Sequence, residues 1–294
     1  MAKDEAGGNG AGADGAGAVE ELVAEAESLG AEERWDEAHA LLLDALEEHA
    51  DDALLLCWLG IASERLGSEG EAYDFFRRCL AQAPRDPFVL AAAGTGVSAF
   101  DDPEAESALR LAALTAPDFP FARSAYGAYL AREGLFGEAL AELRAARDLA
   151  PDDAAIRAEL GVALLLAGVP EEGIGELEEA LSRVEEPWLR GLHGLALLEA
   201  GRPEEGAEQL HRSAGERPDD VELQLLAALA SAAQGWEDEA WAALARAEQA
   251  AEPPDAELVG EVEGAVEEGP EAAAEFLREQ LGPSLLRERL HQRA

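Results

Sequence analysis

The sequence predicts an all-helical protein, built as a solenoid of about eight stacked helix-turn-helix hairpins. The first observation is compositional: Ala, Leu and Glu, which all favour helices, dominate the chain, and β-branched residues are sparse. The second is a motif, G-x-x-x-E-[AG], that returns at spacings of 34, 33 and 34 residues from Gly134 to Gly235. The third is that a further glycine series and a proline series run in phase with this motif.

The chain divides into three predicted parts. Residues 1–18 contain Gly, Ala and acidic residues and bury too little apolar surface to order themselves, so we predict a disordered tail. Residues 19–281 carry the repeats. Residues 282–294 follow them, and a helix from Pro283 to Gln292 is predicted to cap the stack.

The G-x-x-x-E-[AG] motif predicts the turn inside each hairpin, because glycine suits the left-handed conformation that ends a helix. The motif begins at Gly67, Gly134, Gly168, Gly201 and Gly235. The gap after Gly67 spans two periods, and Asp101-Asp102-Pro103 stands where the missing glycine is expected. A small residue early in the second helix, such as Ala139 or Gly173, lets the two helices approach closely.

Prolines mark the ends of the units, and acidic residues follow several of them. Proline lacks an N–H group and stops a helix, as is expected at Pro84, Pro117, Pro151 and Pro218. Aspartates after Pro151 and Pro218 are suited to capping the next helix. Each period therefore reads as helix, turn, helix and stop.

This pattern resembles the tetratricopeptide repeat family, whose signature is W-x2-L-G-x2-Y, then A-x3-F, then P. One unit matches it at Tyr126-Gly127, Leu130, Ala139, Leu143, Ala146 and Pro151. The resemblance covers residues 19–281, although Leu or Arg replaces the signature Trp and the first and eighth units are degenerate. It implies a right-handed α-solenoid, in which the first helix of each hairpin lines a concave surface that binds another protein.

The charge excludes several kinds of partner. The chain has 63 acidic and 22 basic residues, a formal net charge of -41, and Lys3 is its only lysine. Such a field repels nucleic acids and anionic membranes. The longest apolar run, residues 53–62, is too short to span a bilayer, so no membrane insertion is expected. Without a secretory signal pattern or a disulfide framework, the chain is predicted to be cytoplasmic.

No arrangement of residues predicts catalysis. The five histidines are scattered, the two cysteines fall on different helices, and nucleotide-binding or nucleophile motifs are missing. The paired aspartates lack the spacing of a calcium loop, and helix capping explains them. We therefore expect no enzymatic activity, no cofactor and no metal.

The predicted binding site is a groove along one side of the first helices. Its residues are uncharged and apolar or small: Ile61, Phe88, Thr95, Phe121, Ser124, Ala128, Ala158, Val162, Trp188, Leu195, Leu225 and Leu229. An apolar groove with an acidic rim suits an amphipathic helix, or an extended apolar segment with basic flanks, and the aromatic residues are the expected anchors. The alternative is that tight coiling buries this side as core.

Two further hypotheses concern arginines. Arg123, Arg157 and Arg190 stand one period apart and would form a ladder that either clamps a partner's carboxylates or pairs with the chain's own glutamates. The leading function is a protein-interaction scaffold. The alternative is self-assembly into a homo-oligomer, in which the basic C-terminus (Arg278, Arg287, Arg289 and Arg293) docks on an acidic surface of another copy.

The net charge yields the first testable prediction. The melting temperature should rise as sodium chloride increases from very low levels to about 0.15 M, because screening relieves the self-repulsion of the acidic residues. Scanning fluorimetry with an uncharged osmolyte as the control measures this. A melting temperature that stays flat or falls would show that neighbouring cations already compensate the acidic residues.

Overall fold

A computed structural model describes residues 10–290, with side chains from residue 17 onward. Within this range the regular structure is helical and no β-strand is found. The helices are α1 (Gly10–Ala31), α2 (Trp35–Glu48), α3 (Ala53–Arg65), α4 (Glu69–Ala81), α5 (Pro87–Ser98), α6 (Glu104–Thr115), α7 (Pro120–Arg132), α8 (Phe136–Leu149), α9 (Ala154–Leu166), α10 (Pro170–Leu181), α11 (Pro187–Glu199), α12 (Pro203–Glu216), α13 (Val221–Ala233), α14 (Glu237–Ala250), α15 (Ala256–Glu268), α16 (Pro270–Phe276) and α17 (Gly282–Arg289).

The described helices form two compact units, which divide between Tyr126 and Gly127. In the first unit, α1 packs on α2, α3 on α4 and α5 on α6, and the unit ends within α7. The second unit contains the rest of α7, α8, and the hairpins α9–α10, α11–α12, α13–α14 and α15–α16. The order of the helices confirms the predicted all-α solenoid of hairpins.

The start of the chain differs from the prediction. The backbone is helical from Gly10, so residues 10–18 of the predicted disordered tail belong to α1, while residues 1–9 lie outside the described residues. Val19 and Val23 are buried and anchor the helix just beyond this segment. Extending a formed helix by a residue costs far less than nucleating one, so the alanines between the glycines can continue it.

The hairpin turns adopt the left-handed conformation that the repeat motif predicts. Gly67, Gly134, Gly168, Gly201 and Gly235 have φ angles between 73° and 76°. Asp101, at the position of the missing glycine, also has a positive φ, 53°. The turn geometry is therefore kept where the glycine is lost, and the side chain of Asp101 is held in a conformation that disfavours it.

In five hairpins, α3–α4, α5–α6, α7–α8, α9–α10 and α11–α12, a glycine of the first helix faces a large side chain of the second. At Gly161 an added Cβ would lie 2.7 Å from Cγ of Leu177, and Leu177 itself is fully buried. Gly60 has the same relation to Phe76, at 2.5 Å from its Cε1. The in-phase glycine series is thus explained by steric contact, since any larger residue would push the two helices apart.

Aspartates cap the first helices, as predicted. Asp52, Asp153 and Asp220 each accept hydrogen bonds from backbone N–H groups two or three residues ahead, at 2.9–3.1 Å. Before the second helix α6, Asp102 also accepts from the N–H of Glu104, at 2.9 Å. These aspartates satisfy donors that a helix start leaves unpaired.

The C-terminal helix is joined to the last hairpin without a break. A π-helical turn, Leu277–Leu281, connects α16 to α17, so the predicted boundary after residue 281 falls inside continuous helical backbone. The predicted helix Pro283–Gln292 corresponds to α17, which runs from Gly282 to Arg289; residues 291–294 lie outside the described residues.

The turn geometry yields the second prediction. Asp101→Gly should raise the free energy of unfolding by about 0.5 kcal/mol, because glycine removes the strain of a side chain at positive φ. The gain is small because glycine also increases the conformational entropy of the unfolded chain. Gly168→Ala is the reciprocal change and should lower it by about 1 kcal/mol, since φ there is 74° and an added Cβ meets nothing within 4 Å. Urea denaturation followed by circular dichroism measures both, and effects of the opposite signs would contradict the backbone explanation.

Candidate partner-binding surfaces

The predicted groove residues of the first unit lie on α3, α5 and α7. We call the side of the first helices that carries the predicted groove residues the first-helix face. In the first unit Ile61, Phe88, Thr95 and Phe121 are partly exposed, whereas Ser124 is buried. Most of the predicted positions here therefore remain accessible to solvent.

Aromatic rings cluster on this face. Phe88 lies between Trp58 and Phe121, with ring centroids 5.9 Å and 5.5 Å away, and Phe119 lies 5.8 Å from Phe121. All four side chains are partly exposed. We call Trp58, Phe88, Phe119 and Phe121 the aromatic cluster; its geometry allows apolar groups of a ligand to pack against ring faces and edges.

Trp58 and Phe119 are not among the groove residues predicted from the sequence. Trp58 precedes Ile61 by three residues on α3, so the helical spacing that selected Ile61 also indicates Trp58. Phe119 precedes α7, in a turn whose direction helical periodicity does not predict.

Carboxylates lie close to the aromatic cluster along the chain. Asp86 caps α5 by accepting from the N–H of Phe88 at 2.8 Å, and Asp118 directly precedes Phe119. On α3, one turn beyond Ile61, the pKa of Glu64 is raised to about 6, chiefly because the surrounding protein limits hydration of its carboxylate although part of the residue is exposed. The first unit therefore combines apolar rings with negative charge.

The predicted groove residues of the second unit are mostly buried. Ala158 on α9 is partly exposed. The others are at most 8% exposed: Ala128, Val162, Trp188, Leu195, Leu225 and Leu229. In the second unit this side of the first helices is therefore mostly buried, as the alternative to an open groove expects. Coiling of the neighbouring repeats is not the only cause of the burial.

The covering element is the C-terminal segment, which we define as Leu277–Leu290. Its helix α17 packs on α9, and its π-helical turn packs on α13. A Cβ at Gly282 would lie 3.9 Å from Cδ2 of Leu195. The leucines of the segment are buried: Leu277, Leu281, Leu285, Leu286 and Leu290.

A charged contact fastens the end of this segment. The guanidinium of Arg289 lies 3.4 Å from the ring centroid of Trp188, and its Nη2 donates to Oε2 of Glu222 at 2.7 Å. Trp188 in turn donates from Nε1 to Asp220 at 2.7 Å. Burial raises the pKa of Glu222, while the charge of Arg289 opposes that rise.

The three arginines of the predicted ladder contact groups of the chain itself. Arg123 donates from Nε to the carbonyl of Pro117, and Arg157 donates to Pro151 at 2.9 Å. Arg190 pairs with Glu216 at 3.5 Å. Arg157 also pairs with a glutamate of α10. These contacts favour the salt-bridging interpretation of the ladder over the clamp.

That glutamate, Glu176, was not singled out by the sequence. It is 7% exposed and bridges Arg147 at 2.6 Å and Arg157 at 2.5 Å. Hydrogen bonds to Asp148 and then to Glu176 raise the pKa of Arg147. One carboxylate thus links α8, α9 and α10, and its position within a run of glutamates hides it from sequence reasoning.

The described residues contain no group of three or more His, Cys, Asp or Glu side chains arranged to hold a metal ion. Across the same residues no helix is both long and apolar enough to cross a bilayer. The candidate functional features are therefore two surfaces. The first unit has an accessible aromatic cluster, and the second unit has a first-helix face that the C-terminal segment covers.

These hairpins match a known family of repeat proteins. A family model described as tetratricopeptide repeat matches residues 23–87, 125–185 and 192–256. A search of curated proteins gives no match.

Solved structures share the fold. A tetratricopeptide repeat protein from Parabacteroides merdae is 15% identical, with a TM-score of 0.61, over 86% of this chain and 98% of that one. The APC/C hetero-tetramer Cut9–Hcn1 matches at 16% identity and a TM-score of 0.65, over 81% of this chain and 48% of that one. PilW, a type IV pilus biogenesis factor, matches at 22% identity and a TM-score of 0.58, over 69% and 95%. At these identities the similarity establishes the fold alone.

The buried carboxylate yields the third prediction. Glu176→Ala should lower the free energy of unfolding by about 3 kcal/mol, because it leaves two partly buried arginines without their shared acceptor. Glu172→Ala is the matched control: it removes an ion pair with Arg144, at 2.9 Å, in which both side chains are exposed, so the loss should stay below about 1 kcal/mol. Equal losses in urea denaturation would contradict the distinction.

Proposed function

The chain belongs to the tetratricopeptide repeat family, and we propose that it is a non-catalytic scaffold that holds a segment of another protein on its first-helix face. Stacked hairpins generate an extended surface of repeated side chains, which repeat proteins use for binding. We place this activity in the cytoplasm, which suits two buried cysteines that are both free thiols.

The aromatic cluster of the first unit is the observation that carries the proposal. Apolar surface left in water forgoes about 25 cal/mol for each Å², so the exposed parts of the rings of Phe88, Phe121 and Trp58 do not contribute to stability. Aromatic side chains gathered at one place dominate the binding energy of protein interfaces. The rings of the aromatic cluster are therefore proposed as the anchors for the partner.

The surrounding charge indicates the partner's chemistry. Glu64, Asp86 and Asp118 lie on or beside the face that carries the rings, within a chain of net charge -41. Complementary charge speeds association and fixes register more than it adds affinity. We propose an apolar or amphipathic segment with basic flanks, and neither a nucleic acid nor a membrane.

Self-assembly through the basic C-terminus is the less favoured function. It requires the C-terminal arginines to reach an acidic surface of another copy, but Arg289 is already paired with Glu222 of its own chain. A single species of monomer mass in light scattering, over a hundredfold concentration range, would support the scaffold against the assembly.

The fourth prediction tests the aromatic cluster in the full chain. Phe121→Ala should weaken binding of a captured partner by at least about tenfold, because truncating an interface aromatic typically costs more than 1.4 kcal/mol. Partners are captured from native lysate, identified by mass spectrometry and then titrated as purified proteins.

Leu114→Ala is the matched control. Leu114 is 72% exposed on α6, a second helix of the same unit, so its removal deletes an exposed apolar group away from the first-helix face. It should leave binding unchanged. Equal loss in both variants, or a lowered melting temperature for Phe121→Ala alone, would show that the ring has no specific role in binding.

A further inference from the structure

We propose that the first-helix face of the second unit binds an arginine-bearing, leucine-rich helix of a partner protein, and that the C-terminal segment occupies this site as an intramolecular substitute. The inference rests on the proposed function and defines the chemistry of one partner. The segment is the one ligand-like element that the described residues place on a first-helix face, so its contacts show what that face recognises.

The apolar part of the recognition is a row of leucines. Leu281, Leu285 and Leu290 are buried, at 3–6% exposed, and Leu286 lies beside them. The helices α9 and α13, on which the segment packs, carry buried apolar side chains of the predicted groove, among them Val162, Leu225 and Leu229. Amphipathic helices bind apolar grooves through residues spaced in this way.

The polar part is a pocket for one guanidinium. Trp188 offers its ring face to Arg289 at 3.4 Å and is itself held by the hydrogen bond to Asp220, while Glu222 closes the pocket at 2.7 Å. Arg289 keeps only 19% of its side chain exposed. Removing a cation from water costs free energy that a purely structural cap of apolar residues would avoid. The pocket therefore indicates that this face selects arginine.

The way the segment is attached allows it to dissociate from the face while the hairpins stay folded. It is joined to the last hairpin by the π-helical turn, whose hydrogen-bonding pattern differs from that of the α-helices on either side, and Pro283 follows Gly282 at the start of α17. An isolated helix of eight residues is unstable in water, so the released segment would lose its helical order. A longer partner helix keeps more of its order and can compete for the face.

Charge indicates the source of the partner helix. The C-terminal segment contains three arginines and two glutamates, in a chain whose net charge is -41. A second copy of this chain would bring its own excess of negative charge to the face, which long-range repulsion disfavours. We therefore assign the site to another protein, whose helix carries Leu at i, i+4, i+5 and i+9 and Arg at i+8, the pattern of Leu281, Leu285, Leu286, Leu290 and Arg289.

The test uses full chains and a fluorescent peptide of residues 277–290. Arg289→Glu reverses the charge beside Glu222 and should loosen the intramolecular segment. Arg287→Glu makes the same charge change two residues away, at an exposed position, and is the matched control. Fluorescence anisotropy measures binding of the peptide to each chain.

The peptide should bind the Arg289→Glu chain at least about tenfold more tightly than the wild-type chain, since the competing segment no longer holds the site. The Arg287→Glu chain should bind like the wild type. Adding Trp188→Ala to the Arg289→Glu chain should abolish the gain, and a peptide carrying Arg289→Ala should bind no chain tightly.

Hydrogen exchange separates release of the segment from unfolding. In the Arg289→Glu chain, protection should fall across residues 282–290 and persist in α9, α11 and α13. Loss of protection throughout these helices would overturn the proposal, because the segment would then be part of the core. Equal peptide binding by the two charge variants, or none by a chain whose segment is released, would overturn it as well.

Two controls assign the outcome. Phe121→Ala lies in the first unit and should leave peptide binding unchanged, so failure of the peptide test and failure of the aromatic cluster are separate results. If the wild type forms a concentration-dependent dimer and Arg289→Glu abolishes it, the occupant of the face is a second copy of this chain. That result would overturn the assignment to a partner protein.

Discussion

The fold depends on the close contact between the two helices of each hairpin. Where Gly161 faces Leu177, there is no room for even one methyl group, and the same relation joins Gly60 to Phe76. A leucine or phenylalanine that fills the space above a glycine fixes both the distance and the register of the pair. Because this contact recurs in phase along the chain, successive first helices present their side chains at regular intervals.

Regular presentation has different consequences in the two units. In the first unit it brings aromatic rings from α3, α5 and α7 into mutual contact while leaving them partly exposed. In the second unit the corresponding side chains are smaller or aliphatic apart from Trp188 and are mostly buried, and the C-terminal segment packs on α9, on α13 and against Trp188. One backbone pattern therefore supports an accessible surface and an occupied one, and the difference lies in the side chains.

The sequence was sufficient to predict the helices, the hairpin turns and the aspartate caps, because each is a local property of a few residues. Gly168 predicts its turn from backbone sterics, and Asp153 predicts a cap from its place after Pro151. The use of the first-helix face as a binding site remains a prediction.

Contacts between distant parts of the chain could not be predicted in the same way. Glu176 is one glutamate among many until the fold brings Arg147 and Arg157 to it. The pairing of Arg289 with Glu222 joins residues 67 positions apart, and nothing near either residue indicates the other. Phe119 lies in a turn, where helical spacing predicts no direction.

The π-helical turn changes how the C-terminal segment aligns its apolar residues. A regular helix has 3.6 residues per turn, so side chains four apart drift steadily around the axis. A π-helical turn bonds each residue to the fifth along and holds more residues in one turn, which cancels much of this drift. Leu277, Leu281 and Leu285, each four residues after the last, are all buried across this turn. The extra residue in this turn thus aligns the apolar side chains of a short segment along the helix axis. In an unbroken α-helix the same side chains would follow a line that winds around the axis.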